Sequence, residues 1–125
     1  MRNNWILVSF GGIVLFLSGC NNANRQSAEV LTGGNVDRGV SAIVHYGCGS
    51  CHTIKGITGA RGLVGPPLTG IRERVYVAGM LPNTPENLER WIQDPLSVNP
   101  GTAMPKVGLK PREAADIAAY LYSLN

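Results

Sequence analysis

Three stretches of the chain carry apolar residues at helical spacing, and the ground between them is broken by glycine and proline. Val36, Val40, Ile43 and Val44 recur at three- and four-residue intervals, which predicts an amphipathic helix from Val36 to about Tyr46 with Asn35 as its N-cap. Gly39 falls on or near its apolar face, where a missing side chain permits close approach by another helix. A second stripe, Leu88, Trp91 and Ile92, follows a helix start at Thr84-Pro85-Glu86 and is stopped by Pro95. The clearest helix is the last, Pro111 to about Leu124. Ala114, Ile117, Ala118, Leu121 and Leu124 form its buried side, and Tyr120 and Tyr122 flank them. The pattern predicts an all-α fold of three main helices joined by loops.

The connecting segments are informative too. Thr53 to Gly65 has a glycine at 56, 59, 62 and 65 and reads as a loop, after which Gly65-Pro66-Pro67-Leu68 is stiff and extended. Prolines there remove amide donors but leave carbonyls free to accept. Thr69 to Leu81 carries Arg72, Arg74 and Tyr76 and ends at a turn, Leu81-Pro82-Asn83. Ser97 to Leu109 has no periodicity; Met104 sits in its middle, directly before Pro105. A loop so rich in breakers is a surface excursion or a shaped wall.

The first nineteen residues read as an export signal. Arg2 is basic, Trp5 to Leu17 is apolar, and Leu17-Ser18-Gly19-Cys20 resembles a bacterial lipoprotein cleavage box. On that resemblance Cys20 carries lipid and holds the protein on a membrane outside the cytoplasm, facing the periplasm or cell exterior. The polar residues that follow read as a flexible tether over 20–35, leaving one domain over 36–125.

Charge adds little. The formal net charge is +3, and no Lys/Arg cluster interleaved with aromatics is present, so a nucleic-acid partner is not implied.

The candidate chemistry lies in Cys48-Gly49-Ser50-Cys51-His52, the pattern of covalent c-type haem attachment. Two cysteines at this spacing reach the two vinyl groups of one porphyrin edge, and the next residue, a histidine, is carried under the ring. Three other readings compete. A thioredoxin-like pair needs a preceding strand, and no convincing one is present. A zinc site lacks a fourth ligand beyond His45, which is too close. A Cys48–Cys51 disulfide would close a very small loop and leave His52 without a role.

With these motifs assembled, the chain resembles the small monohaem class I c-type cytochromes over essentially all of its mature length. The resemblance is closest to the cytochrome c domains associated with haem-copper oxidases, including those fused to oxidase subunit II. It is carried by Cys48 to Thr53, by Gly65-Pro66-Pro67-Leu68-Thr69-Gly70, by Leu81 to Pro95, by Gly101-Thr102-Ala103-Met104-Pro105 and by Ile117 to Leu121. It implies one haem c, covalent through Cys48 and Cys51, with iron held by His52 and Met104. It further implies a hydrogen bond from His52 to the Pro66 carbonyl, and Arg74 and Trp91 at the haem propionates. Gly39 and Ile43 are expected to pack on Ile117 and Tyr120 where the terminal helices cross. Gly39 lies nine residues before Cys48, where eight is usual in mitochondrial-type members, so the register of that crossing is open.

For the second ligand, Met80 resembles core filler and His45 sits on a helix busy elsewhere, so Met104 is favoured. The implied function is one-electron transfer between respiratory complexes, from a quinol-oxidising complex toward a haem-copper oxidase. No enzymatic activity and no small-molecule substrate are implied. The alternatives are a fixed haem subunit of a larger respiratory complex, or a haem catalyst or gas sensor with a displaceable methionine.

Overall fold

The computed structural model describes residues 19–124, and its helices begin where local chemistry starts them. α1 spans Gly19–Thr32 and α2 spans Val36–His45. The Asn35 side chain accepts the Arg38 N–H at 3.0 Å, capping α2 as expected. α3, Pro85–Gln93, starts on Thr84, whose hydroxyl accepts the Asn87 N–H at 3.2 Å. Asp94 ends it, and a one-turn α4, Pro95–Val98, follows where the sequence suggested only a stop and then loop. α5, Pro111–Ser123, is opened by Pro111 at its first position, with the Glu113 carboxylate accepting the Lys110 N–H at 2.9 Å. Short 3₁₀ turns cover Cys48–Ser50 and Ile71–Glu73.

The fold is small and mostly helical, as expected, and it also contains a short β-hairpin. Strands β1 (Tyr76–Val77) and β2 (Leu81–Pro82) pair antiparallel, with Val77 opposite Leu81. Ala78 and Gly79 both take positive φ, 55° and 68°, and the Met80 N–H closes onto the Val77 carbonyl at 3.0 Å. This is a primed turn, and Ala78 is small enough to tolerate it. Met80, expected as core filler, rides on this hairpin 56 % exposed.

The most extensive helix contact is the crossing of α2 and α5. A Cβ on Gly39 would fall well inside van der Waals contact of the Asp116 carbonyl oxygen and 2.9 Å from Tyr120 Cβ, so only glycine lets the two backbones meet. Ile43 and Ile117 are buried in the same core. A polar clamp locks the crossing: Asp116, 3 % exposed, accepts from Arg38 Nε and Nη2, both at 2.8 Å, and from the Asn35 N–H at 2.7 Å.

The tether expected over 20–35 is corrected by α1, which folds onto the domain. Its main neighbour is α5. The docking side is made of small and polar residues: Ala28 is fully buried, Thr32 is 8 % exposed, and Ser27 accepts from Arg72 Nη2 at 3.1 Å. Glu29 accepts the Val36 N–H at 2.8 Å, and Arg25 pairs with Asp37 at 2.7 Å. Val30 and Leu31 instead face outward, so an apolar stripe could not have announced this helix. The expected signal over 1–19 lies outside the described residues but for Gly19, and Cys20 enters only as backbone in the first turn of α1. Among the described residues no helix is long and apolar enough to cross a membrane.

Burial alone would raise the Asp116 pKa, but the Arg38 hydrogen bond, the Asn35 N–H and the Arg38 charge outweigh it and hold the carboxyl below its usual range. A carboxyl depressed in the fold contributes stability above its unfolded pKa of about 4, and that contribution is lost as pH falls through the lower folded value. Asp116→Asn is therefore expected to cost about 1–3 kcal/mol in urea unfolding at pH 7. The gap from the parent should shrink when the same measurement is made progressively below about pH 4.

Candidate functional site

The site begins where α2 ends. Gly47, at φ 68°, turns the chain out of the helix and into the 3₁₀ turn of Cys48–Ser50. The N–H groups of Cys51 and His52 both return to the Cys48 carbonyl, at 3.2 and 3.0 Å. This coils the pentapeptide so that Cys48, Cys51 and His52 all line one cavity. The two cysteines are not joined in a disulfide, and both are half-buried.

The glycine-rich loop folds back over this turn. Gly62 N–H donates to the Gly49 carbonyl at 3.1 Å, Gly65 N–H to the Cys51 carbonyl at 2.8 Å, and Leu68 N–H to the Thr53 carbonyl at 3.0 Å. These bonds bring the diproline segment beside His52, whose Nδ1 lies 2.7 Å from the Pro66 carbonyl oxygen. A carbonyl can only accept, so Nδ1 carries the proton and Nε2 keeps a lone pair free to bind a metal. Gly65 lies against the same ring: a Cβ there would stand 2.6 Å from His52 Nδ1 and closer still to Cε1.

Met104 belongs to a loop made firm by short bonds. Thr102 N–H donates to the Asn99 carbonyl at 3.0 Å, and Met104 N–H to the Thr102 hydroxyl at 3.1 Å. Two residues on, Lys106 Nζ meets Asp94 at 2.6 Å, tying the loop to the α3–α4 junction. That Lys106 hydrogen bond, aided by its charge and by the Ser97 N–H, keeps the Asp94 carboxyl below its ordinary pKa.

The cavity has a volume of about 480 Å³. Cys48, Cys51, His52, Pro66, Arg74, Trp91 and Met104 all line it, so seven of the eight residues singled out in the sequence converge; the side chain of the eighth, Cys20, lies outside what the structure describes. Neither His45 nor Met80, the rival ligands, lines it. Arg74 is held by a hydrogen bond from its guanidinium to the Pro67 carbonyl. The remaining wall is largely aliphatic, with Ile43, Leu68, Leu88, Ile92, Ile117 and Leu121 supplied by four separate segments.

These residues fit a haem c. The space is of cofactor size, mostly apolar, with two thiols, a polarised imidazole, a thioether and one cation at its wall. Among the described residues no three His, Cys, Asp or Glu side chains gather as a metal-binding group, which removes the zinc alternative there.

Two residues were not legible as part of the site. Tyr46 lines the cavity and donates from its hydroxyl to Glu113 at 2.8 Å, which couples the cavity wall to the start of α5. That bond raises the Tyr46 pKa. Asn83, suggested only as a turn residue, donates to the carbonyls of Ile71 at 2.7 Å and Arg74 at 2.8 Å. Neither is signalled by a motif, because both act through partners remote in sequence.

Comparison with known proteins gives a consistent picture. The family model described as "Cytochrome c" matches residues 36–125. "Cytochrome c oxidase subunit 2" of Alkalihalophilus pseudofirmus is 40 % identical over 79 residues, covering 62 % of this chain and 22 % of that protein. The protein of the same description from Bacillus sp. strain PS3 is 35 % identical over 65 residues, 50 % of this chain and 18 % of that one. A "Cytochrome c homolog" of Bradyrhizobium diazoefficiens is 32 % identical over 117 residues, 82 % of this chain and 61 % of the relative. The chain thus spans about a fifth of the two oxidase subunits and under two thirds of the third protein. No solved structure matches the chain significantly.

Gly65→Ala tests the seating of His52. The added methyl has to displace the ring or the 65–67 backbone, so the His52–Pro66 bond should weaken and stability should fall by about 1–3 kcal/mol. Urea unfolding measures the second effect, and the nitrogen-15 shift of His52 Nδ1 the first.

Proposed function

The chain belongs to the cytochrome c family, with a c-type haem attached through two closely spaced cysteines, and is an electron-transfer module homologous to part of cytochrome c oxidase subunit 2. From that premise we propose that it serves as a resident one-electron relay of a respiratory oxidase complex, in which His52 and Met104 would hold the haem iron. The ligand assignment is supported above all by one observation: His52, its Nδ1 engaged by Pro66, and Met104 line the same cavity as Cys48 and Cys51.

The bound haem supplies a reversible one-electron couple. The protein's part is to hold the site closed and unchanging. Pro66 fixes the His52 tautomer and ring orientation, which keeps Nε2 basic. The Asp94–Lys106 pair and the Thr102 hydroxyl hold the loop that presents the Met104 thioether. With His52 and Met104 both holding the iron, the site would offer no open position to oxygen or a substrate. The aliphatic wall would keep water from the bound group, and Arg74 and Trp91, which line the same cavity, would meet its propionates.

The oxidase assignment rests on the two subunit 2 relatives. The match to a cytochrome c homolog over more of both chains favours a second reading, a membrane-attached carrier bringing electrons from a quinol-oxidising complex to a haem-copper oxidase. In either case lipid at Cys20 would place the domain at the outer face of a membrane, with α1 docked on the domain rather than trailing as a loose linker. Extraction in mild detergent separates the two: co-purification with oxidase subunits supports the resident relay, and a monomer supports the carrier.

Met104→Ala is expected to abolish the weak far-red absorbance of a sulfur-to-iron bond and to let carbon monoxide bind the reduced protein rapidly at neutral pH. Met80→Ala should leave both properties as in the parent. Loss of the band in the Met80 variant alone would refute the ligand choice.

A further inference from the structure

Arg74 reaches the cavity from the end of the 3₁₀ turn at Ile71–Glu73, and the side chain that secures this turn comes from the far side of the β1–β2 hairpin. Asn83 closes both ends of the turn at once. Its Nδ2 donates to the Ile71 carbonyl at 2.7 Å and to the Arg74 carbonyl at 2.8 Å, while its backbone N–H donates to the Val75 carbonyl at 3.0 Å. Its Oδ1 accepts from the Tyr122 hydroxyl at 2.8 Å. Tyr122 is only 4 % exposed and belongs to α5, so the turn is referred through one amide to the main helix of the core.

Only a primary amide provides this combination of two N–H donors and an acceptor. A carboxylate would face two carbonyl oxygens, and an alanine would remove the side-chain donor from both, leaving the Ile71 carbonyl only the Arg74 N–H at 3.2 Å. From the turn fixed in this way the Arg74 guanidinium reaches the Pro67 carbonyl, one residue after the Pro66 carbonyl that receives His52 Nδ1. We infer that Asn83, backed by Tyr122, is a positioning residue for the redox site: it holds the Arg74 cation at the cavity wall, where that charge raises the midpoint potential. This rests on the proposed haem site. The electrostatic reason is direct, because the oxidised site carries one more positive charge than the reduced one and is disfavoured by a fixed neighbouring cation.

The test is a redox titration of the full haem-loaded protein, run beside urea unfolding, for Arg74→Gln, Asn83→Ala, the Arg74→Gln/Asn83→Ala double variant and Tyr122→Phe. Arg74→Gln is expected to lower the midpoint, Asn83→Ala to lower it in the same direction, and the double variant to show no further drop, since both changes remove one charge effect. Tyr122→Phe should give a smaller drop, because the two Asn83 donors remain. Loss of stability in Asn83→Ala with an unchanged midpoint overturns the inference, as does a drop that adds fully to that of Arg74→Gln. If Asn83→Ala does not fold, an unchanged midpoint in folded Tyr122→Phe overturns it instead. An unmoved midpoint in Arg74→Gln itself refutes the placement of Arg74 beside the haem, and the inference falls with that reading rather than alone.

Discussion

Contact between the backbones of α2 and α5 at Gly39 is the constraint on which the rest depends. With no side chain between them, the helices approach closely enough for Asp116 to collect Arg38 and the Asn35 N–H in one buried clamp. This fixes the direction in which α2 leaves the crossing. The exit of α2 is where Cys48 and Cys51 lie, so a contact remote from the haem chemistry sets where the attachment turn stands. Tyr46 repeats the connection at the other end of α2, with its ring on the cavity and its hydroxyl on Glu113 of α5.

Around this crossing the chain solves a problem of scale. A domain of this size has little apolar mass of its own, and much of what it has lines a cavity instead of packing against itself. A covalently attached haem would fill that space with flat apolar surface and so complete the core. The loops can then be irregular because hydrogen bonds, more than burial, hold them: Gly65 to Cys51, Thr102 to Asn99, Asn83 to Ile71 and Arg74. Rigid loops on both sides suit electron exchange, where a site that rearranges little between oxidation states reacts with little cost.

α1 changes the meaning of the N-terminal region. It lies outside the family-matched residues yet packs on α5 and reaches the 71–73 turn through Ser27 and Arg72. An anchor attached at its start would be joined to the haem domain by a helix docked from about Arg25 onward, and not by a free coil. The domain would then be held at a restricted height and orientation, a property useful to a relay fixed within a complex.

The amino-acid sequence by itself determined the three principal helices, their caps at Asn35 and Thr84 and the attachment motif. Each of these is written in residues close to one another, as a period, a cap or a fixed spacing. The convergence of Cys48, His52, Pro66, Arg74, Trp91 and Met104 was legible only through family resemblance, since no local rule brings together residues more than fifty positions apart. Tertiary structure alone decided the rest. α1 was hidden because small and polar residues make its buried side while Val30 and Leu31 face outward. The hairpin at Ala78-Gly79 was hidden because its strands are two residues long, too short to alternate. Asn83 and Tyr122 were hidden because a hydrogen bond between positions 39 residues apart leaves no pattern in either neighbourhood. Periodicity and spacing record how a residue meets its near neighbours in the chain; which distant backbone an amide or a carboxylate will serve is settled only when the fold brings the two together.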